Sequence, residues 1–252
     1  MVTEARTTPA ARPHLDERAE YVPRADQERF IVPLLKSAIE SHLTTHAKPL
    51  AAGGKVLDVG CGRQPFRRVL EGYGFEYFGM DVQPADDVGG AFAAAIDAPL
   101  PPDLAAEGPF AFVLCTEVLE HVADWAAAFA NLSRLTAPGG KVLVTCPHFY
   151  PLHEEPYDFW RPTPHALRHF AEAAGFRVVA LEKVGDAWDV LGTLLGASYV
   201  VPGTWSWRAR LASAVVRRGT RAVFHLLCRG LLRRVTLGGK LYLSNVAVLE
   251  RP

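Results

Sequence analysis

Short apolar runs alternate with longer segments of helical periodicity through the middle of the chain. The runs are rich in valine, leucine and phenylalanine, and they predict buried strands at 55–59, 76–80, 110–115, 141–146 and 176–182. The segments between them predict helices at 65–72, 124–135 and 164–174. This alternation is typical of an α/β domain in which helices cover both faces of a doubly wound, mostly parallel sheet.

Two further elements flank this core. Apolar residues recur at helical spacing over 26–44 and predict a helix: Phe30, Leu34, Leu35, Ile39 and Leu43. A run rich in leucine and valine at 241–249 predicts a last strand. We expect residues 1–24 to be flexible and residues 25–252 to form one domain.

Local signals mark where several of these elements begin and end. Asp124 is placed to cap the first turn of the helix that follows it, and Thr163 is placed to cap the next one. The pair Gly139 and Gly140 follows a proline, and we expect it to end the preceding helix before the next strand begins.

The segment before the last strand, 188–238, is predicted to be a helical insertion with an unusual charge. From Asp189 to Lys240 there are eight arginines and one lysine against one acid, so the formal charge is 9 − 1 = +8. A helical wheel at about 100° per residue places basic and apolar residues on opposite sides: Arg210, Arg217, Arg218, Arg221 and Arg229 against Val215, Val216, Val223, Phe224, Leu226, Leu227 and Leu231.

Three interpretations of this insertion stay open. The first is a cap that packs on its own domain and shows its arginines to water. The second is a peripheral membrane or lipid contact through 208–234, because basic amphipathic helices are typical of membrane surfaces. The third is a homodimer interface.

Composition places the chain among globular proteins. Its 252 residues are 49% hydrophobic and 21% charged, which suits one α/β domain with a full core. The net charge is zero, so no global field attracts nucleic acid, and we predict no nucleic-acid partner. The four cysteines show no paired spacing, which indicates free thiols in a reducing compartment. Without a secretory signal or a long apolar stretch, the chain is expected to be cytoplasmic.

The most informative motif ends the first strand and contains Asp58, Gly60 and Gly62. Glycine at both positions allows a tight turn and lets a ligand approach main-chain N–H groups. The next strand ends in Asp81, and a carboxylate at that place can hold the two hydroxyls of a ribose. A strand, a glycine turn, a helix and a strand ending in an acid form half of a nucleoside-binding fold.

Two more motifs follow in order: Glu-Val-Leu-Glu-His at 117–121 and Pro-Gly-Gly-Lys-Val-Leu-Val at 138–144. With them, residues 53–182 and the last strand resemble the class I S-adenosylmethionine-dependent methyltransferases, in particular bacterial small-molecule enzymes of the type 11 kind. The resemblance implies a Rossmann-like fold whose final strand is antiparallel. Gln64 and Pro65 stand where another small residue often lies, which weakens a dinucleotide-binding interpretation.

The resemblance also implies the cofactor, S-adenosylmethionine, and the residues that bind it. We predict nine of them: Asp58, Gly60, Gly62, Met80, Asp81, Val82, Asp97, Thr116 and Glu117. Glu120 and His121 are expected to order the helix that follows them. In this family a helix placed like the one at 26–44 often covers the cofactor; the alternative is that it only packs on the sheet.

Residues for the chemistry are expected in the polar and aromatic segment 146–161. Methyl transfer often requires removal of a proton, and histidine suits this task near neutral pH. We therefore predict three catalytic residues: His148, His153 and Glu154. Side chains that can stack on an acceptor or pair with it are predicted to bind the substrate: Tyr150, Tyr157, Trp160 and Arg161.

The alternative for this segment is an ordered structural loop in which His153, Asp158 and Arg161 bond one another. No metal is predicted, because the spacing of the histidines and acids fits no established motif.

These features favour a small-molecule methyltransferase that acts on oxygen, with a sugar, a lipid-linked intermediate or a natural-product scaffold as the acceptor. Transfer to carbon or nitrogen stays open. The alternative from another class is a cofactor-binding protein with altered chemistry, either cyclase-like or regulatory. A DNA-base methyltransferase is disfavoured, because residues 115–117 read Cys-Thr-Glu and not the Asn-Pro-Pro-Tyr type of motif.

Overall fold

A computed structural model of the protein describes residues 20–85, 89–198, 205–230 and 239–252. The strands in these residues are β1 (Lys55–Val59), β2 (Glu76–Asp81), β3 (Ala91–Ala93), β4 (Phe110–Thr116), β5 (Thr136–Pro147), β6 (Arg177–Val184) and β7 (Ser244–Glu250). They form one sheet in the order β3-β2-β1-β4-β5-β7-β6. Strand β7 runs antiparallel to β5 and β6, and the other pairs are parallel.

The α-helices of the described residues are α1 (Glu28–His42), α2 (Arg67–Tyr73), α3 (Pro102–Glu107), α4 (Trp125–Leu135), α5 (Pro164–Ala173), α6 (Ala187–Ala197) and α7 (Trp207–Gly230). Two apolar clusters lie on opposite faces of the sheet. One contains the buried sides of α4 and α5, and the other contains that of α1. The predicted doubly wound, Rossmann-like α/β fold with an antiparallel last strand is therefore confirmed.

The strand order reverses direction at β1, which lies between β2 and β4. Val59 at the end of β1 is in register with Met80 and with Cys115, so the carboxyl ends of the three strands lie at one edge of the sheet. In open α/β sheets, ligands bind outside the carboxyl ends of the strands at this kind of switch point.

The predicted helix starts are present. The Asp124 carboxylate accepts a 3.0 Å hydrogen bond from the Ala127 N–H, and the Thr163 hydroxyl accepts one of 3.4 Å from the Ala166 N–H. Both bonds are side-chain caps of the kind expected at the first turn of a helix.

The prediction for Gly139 and Gly140 is wrong. The helix ends at Leu135, and the glycine pair lies within β5. Gly139 has a φ of +73°, and a Cβ atom on Gly140 would lie 2.8 Å from the Ala137 carbonyl oxygen. The glycines therefore serve an irregular part of the strand, where its register with β4 shifts.

Two short elements, β3 and α3, were not predicted from the sequence. The predicted domain boundaries stay a prediction: residues 1–19 of the expected flexible terminus, and residues 199–204 and 231–238 of the insertion, lie outside the described part of the chain. Within the described part, no helix is both long enough and apolar enough to span a membrane.

The wheel for the insertion needs correction at Phe224. This ring lies on the same side of α7 as Arg217 and Arg221 and makes an edge-to-face contact with Phe30, with ring centroids 6.0 Å apart. Both arginines pair with Asp26, just ahead of α1. The side of α7 that contacts the domain is thus basic as well as apolar.

Candidate functional site

Two cavities open at the carboxyl ends of β1, β2 and β4. The smaller cavity has a volume of about 310 Å³ and is lined by the ends of these strands and by Asp97 and Tyr157. The larger cavity, about 760 Å³, lies between β1, the start of α1 and residues 150–154. Five residues line both cavities and mark their junction: Gly60, Gly62, Glu117, His121 and Glu154.

The glycine turn after β1 is tied to the end of β2. The N–H of Gly60 donates to the Met80 carbonyl at 2.7 Å, and the N–H of Gly62 donates to Oδ2 of Asp81 at 2.9 Å. Gly60 and Gly62 have φ values of +68° and +46°, which L side chains rarely adopt. The second Asp81 oxygen accepts the Gln83 N–H at 2.9 Å. Asp81 is therefore fixed at the wall of the smaller cavity.

Asp58 lies at the base of the larger cavity and is 2% exposed. The pKa of its carboxyl is raised to about 7: burial is the main cause, a hydrogen bond from Tyr77 opposes it, and the nearby Asp81 adds a smaller rise. That bond joins the Tyr77 hydroxyl to Oδ2 of Asp58 at 2.8 Å. The site thus holds an acid whose charge a bound cation would stabilise.

The loop that carries Asp97 is held by a buried residue of α4 that sequence analysis missed. The side-chain amide of Asn131 donates to the carbonyls of Ile96 and Ala98, both at 2.7 Å. These bonds hold the loop that places Asp97 at the smaller cavity. Asp81 lines the same cavity. A buried amide of this kind is visible in sequence only as one polar position within an apolar helix face.

Glu117 adopts a left-handed backbone, with φ at +54°, directly after β4. Its N–H donates to both the carbonyl and the hydroxyl oxygen of Thr145 at 3.1 Å, and that hydroxyl donates to Oε1 of Glu117 at 2.8 Å. Non-glycine residues with this backbone are uncommon and cluster at functional sites. The bonds from β5 hold the Glu117 carboxylate at the junction of the cavities.

All nine residues predicted to bind the cofactor line one of the two cavities. Seven line the smaller one, and Asp58 and Thr116 line the larger one. Their role in binding stays a prediction. Helix α1 both packs on the sheet and contributes to the larger cavity through its first turns and the residues just before it: Tyr21, Arg24, Gln27, Glu28, Ile31, Val32 and Leu35.

His153 lies on the wall of the larger cavity and is held by a buried ion pair. Arg161 donates two 2.6 Å hydrogen bonds to the two oxygens of Asp158, whose side chain is 1% exposed. Asp158 in turn accepts the backbone N–H of His153 at 3.0 Å and lies 3.3 Å from its Nδ1. Burial lowers the pKa of His153, so its neutral form is favoured, and Asp158 opposes this effect.

A ring contact connects His153 to the junction. The His153 and His121 rings meet edge to face, with centroids 4.7 Å apart. Nε2 of His121 lies 3.8 Å from Oε2 of Glu154, while its Nδ1 lies 3.2 Å from the Tyr157 carbonyl. His121, expected from sequence only to order a helix, is therefore part of the site.

Three predicted site residues line neither cavity. His148 stacks on Tyr242 with ring centroids 4.3 Å apart, and its Nδ1 lies 3.0 Å from the Pro162 carbonyl. Trp160 donates its indole N–H to the Val122 carbonyl at 2.8 Å. Arg161 is engaged by Asp158, as the structural alternative for this loop expected. The geometry gives these three side chains structural contacts, whereas Tyr150 and Tyr157 line the larger and the smaller cavity.

A buried acid lies behind the two histidines. Glu120 is fully buried, and its Oε1 has no hydrogen-bond partner among the described residues. Burial and the nearby Glu117 raise its pKa, so the neutral acid is favoured. Ligand atoms of Glu120, His121 and His153 lie within 4.8 Å of one another, a grouping that could hold a metal ion. The prediction of no metal was based on spacing along the sequence alone. The fold of the loop that contains His153 brings this residue close to Glu120 and His121, which sequence spacing does not reveal.

Known sequences match most of the part of the chain that forms the two cavities. A family model described as a methyltransferase domain matches residues 34–181. Among curated relatives, the ubiquinone biosynthesis O-methyltransferase of Xanthomonas oryzae pv. oryzae (strain PXO99A) is 36% identical over 103 residues. The alignment covers 37% of this chain and 43% of that protein, so the chain spans less than half the length of that relative.

Solved structures share the fold at low sequence identity. The [4+2]-cyclase SpnF superposes with a TM-score of 0.54 at 16% identity, covering 86% of this chain and 81% of the cyclase. An S-adenosylmethionine-dependent methyltransferase from Mesorhizobium loti gives a TM-score of 0.51 at 14% identity, covering 89% and 98%. At this identity the likeness concerns the fold alone.

Proposed function

Because the chain belongs to the S-adenosylmethionine-dependent methyltransferase family, we propose that it transfers a methyl group to a hydroxyl group of a small-molecule acceptor. The observation that carries the proposal is the position of His153. His153 lines the larger cavity together with His121 and Glu154. His121 and Glu154 also line the smaller cavity, so His153 lies next to the junction of the two.

S-adenosylmethionine supplies an electrophilic methyl group on a positively charged sulfur. In the proposed arrangement the smaller cavity takes the adenosine part, with Asp81 accepting hydrogen bonds from the ribose hydroxyls and Asp97 from the adenine amino group. Asp58 faces the amino group at the methionine end, where the positive charge favours its ionised form. The junction of the cavities then receives the methyl group.

His153 acts as the general base in this proposal. With a proton on Nδ1 shared with Asp158, Nε2 is the atom that accepts the hydroxyl proton of the acceptor. Removal of this proton would let the acceptor oxygen attack the methyl group that a bound cofactor would supply, with the sulfur as the leaving group. Asp158 stabilises the resulting imidazolium, and Arg161 fixes Asp158 in place. A base oriented by a third group is a recurring arrangement in enzymes that activate hydroxyls.

The walls of the larger cavity suggest the class of acceptor. Ile31, Leu35 and Phe66 contribute apolar groups to the lining, and Arg24 and Glu28 contribute charged residues. This mixture suits an amphiphilic acceptor with a hydroxylated head and an apolar portion. Of the acceptors considered from sequence, lipid-linked and natural-product molecules fit better than a free sugar. The curated relative is named an O-methyltransferase, which supports oxygen as the atom that is methylated.

Methyl-labelled cofactor and a metabolite extract test the proposal. The protein should convert the cofactor to S-adenosylhomocysteine and place the label on an extract component, which mass spectrometry detects as a methyl ether. Cofactor binding without any label transfer across several extracts would contradict it. That outcome would favour the alternative of altered chemistry, in which the cofactor is bound and not consumed.

A cytoplasmic location is proposed together with this function. It is supported by Cys61, Cys115 and Cys146, which are buried free thiols. Such thiols persist in reducing compartments.

A further inference from the structure

Helix α7 turns an apolar side toward solvent. Six large apolar side chains on it are between 55% and 77% exposed: Trp207, Leu211, Val215, Val216, Val223 and Leu226. On a wheel of about 100° per residue, Trp207, Leu211 and Val215 fall within one narrow sector, and the other three extend it. Contiguous exposed apolar surface of this kind marks an interaction site more often than chance.

The opposite side of α7 fixes its orientation. Phe224 contacts Phe30 of α1, and Arg217 lies with its Nη1 3.6 Å from Oδ2 of Asp26. Arg221 pairs with the same carboxylate. These contacts anchor the helix on the domain through one side, so the apolar side is the one presented outward.

The outward side is also basic. The sequence of α7 contains six arginines and no acid. Among them, the exposed Arg208 and Arg218 fall in the sector of the exposed apolar residues on the same wheel, and the Arg208 guanidinium lies 5.3 Å from the centre of the Trp207 ring. Exposed apolar residues, tryptophan and arginine on one helix are the combination found on helices that lie in the interface of a bilayer.

We propose that the exposed side of α7 docks on an anionic lipid surface. The charge favours this occupant over a second copy of the chain. A two-fold interface places the same patch on both partners, so Arg208 and Arg218 of each copy would face a like-charged helix. Anionic headgroups instead neutralise the arginines while the apolar side chains enter the headgroup–acyl boundary.

Docking also bears on the reaction, in a step that rests on the proposed function. Asp26 and Phe30, which hold α7, flank Gln27 and Glu28, and these two line the larger cavity. The docked helix thus brings the acceptor-binding cavity close to the lipid surface. An amphiphilic acceptor could then reach the cavity from the bilayer.

Vesicle flotation with the full chain tests the proposal without any need for catalysis. The wild type should float with vesicles of phosphatidylcholine containing about a third phosphatidylglycerol, and far less with phosphatidylcholine alone. The association should weaken as salt is raised. The Leu211→Glu/Val215→Glu variant should lose about tenfold or more of the association, because both exposed side chains would no longer enter the boundary.

The control is Leu241→Glu, which places the same charge on a leucine that is 53% exposed outside α7. It should float like the wild type, and all three proteins should keep the same cofactor affinity and circular dichroism spectrum. No flotation of the wild type at low salt would overturn the proposal. So would a wild-type dimer, seen by light scattering, that the α7 variant converts to a monomer without vesicle binding. If the wild type floats with anionic vesicles but transfers no methyl group, only the proposed function is rejected, and the proposed docking is supported.

Discussion

The Tyr77 hydroxyl donates a 2.8 Å hydrogen bond to the Asp58 carboxylate at the base of the larger cavity. The bond favours the ionised acid, whereas burial and the nearby Asp81 raise the pKa of Asp58 to about 7. A cofactor amino group at this place binds the ionised acid better than the neutral one. In the proposed arrangement, the charge of the Asp58 carboxyl therefore connects pH to cofactor affinity.

Affinity for S-adenosylmethionine should rise as pH increases from 6 to 8, because Asp58 loses its proton through about pH 7. In Tyr77→Phe the rise should move to higher pH, since the bond that favours the carboxylate is gone. Tyr73→Phe, which removes a hydroxyl bonded to Thr44 outside the site, should keep the wild-type profile. Titration calorimetry at several pH values measures this, and an affinity independent of pH would refute it.

The same acid should limit stability in the absence of cofactor. Its folded pKa, about 7, lies above the ordinary value of 3.8 for an aspartate, so the neutral acid favours the folded state at low pH. That contribution is complete below pH 3.8 and is lost as pH rises through 7. At pH 8 Asp58→Asn should therefore melt at a higher temperature than the wild type while binding the cofactor more weakly. A lower melting temperature of the variant than of the wild type at pH 8 would contradict a destabilising buried charge on Asp58.

Asp81 should contribute directly to cofactor binding. Its carboxylate organises the Gly62 and Gln83 N–H groups and is proposed to accept the ribose hydroxyls. Asp81→Ala should weaken binding by about 2 kcal/mol or more, since hydrogen bonds to a charged group contribute roughly 1.5–3 kcal/mol. Asp103→Ala, at the first turn of α3, should bind like the wild type. Equal affinities of the two variants in calorimetry would exclude this role for Asp81.

Arg161 should affect turnover and not acceptor affinity. Its two bonds to Asp158 hold the acid that orients His153. Arg161→Lys cannot reproduce the paired geometry, so kcat should fall about tenfold or more with little change in KM for the acceptor. Arg168→Lys, in an exposed pair with Glu172, should leave both values unchanged. A raised KM at constant kcat would restore the prediction that Arg161 binds the acceptor.

Close packing of α6 on α1 should be sensitive to a single methyl group. A Cβ atom on Gly196 would lie 2.7 Å from the backbone nitrogen of Gln27, which cannot move alone. Gly196→Ala should lower the free energy of unfolding by about 1–3 kcal/mol. Gly219→Ala, on α7 with no atom within 4 Å of its added Cβ, should raise it by about 0.5–1 kcal/mol. Denaturant melts that show the same sign for both variants would contradict this packing.

Much of the fold follows from sequence because its signals are local. Apolar runs and helix caps identify β1, β2, β4 and α4 with small errors at their ends. The strand β3 has three residues and α3 has six, too few for a period to be visible. Gly139 and Gly140 suggest a helix end, but the chain has already entered β5, and only the pairing with β4 reveals this.

Some residues of the candidate site could likewise be predicted from local sequence signals, and others could not. Asp58 and Asp81 belong to motifs at strand ends, so their positions could be predicted. The contribution of His121 could not, because it depends on a loop that returns to place His153 against it. For α7 the wheel separates two sides without stating which one meets the domain. That choice depends on Asp26, far away in sequence.

The most direct test of the account compares label transfer by the wild type, His153→Gln and His148→Gln. Each protein receives methyl-labelled cofactor and the acceptor identified from extract, with and without a chelator, since Glu120, His121 and His153 could hold a metal ion. If His153 is the base, His153→Gln should lose about 10²–10⁴ of the turnover at unchanged cofactor affinity. His148→Gln, whose ring stacks on Tyr242 outside both cavities, should stay within about threefold of the wild type. Full turnover by His153→Gln would contradict the account.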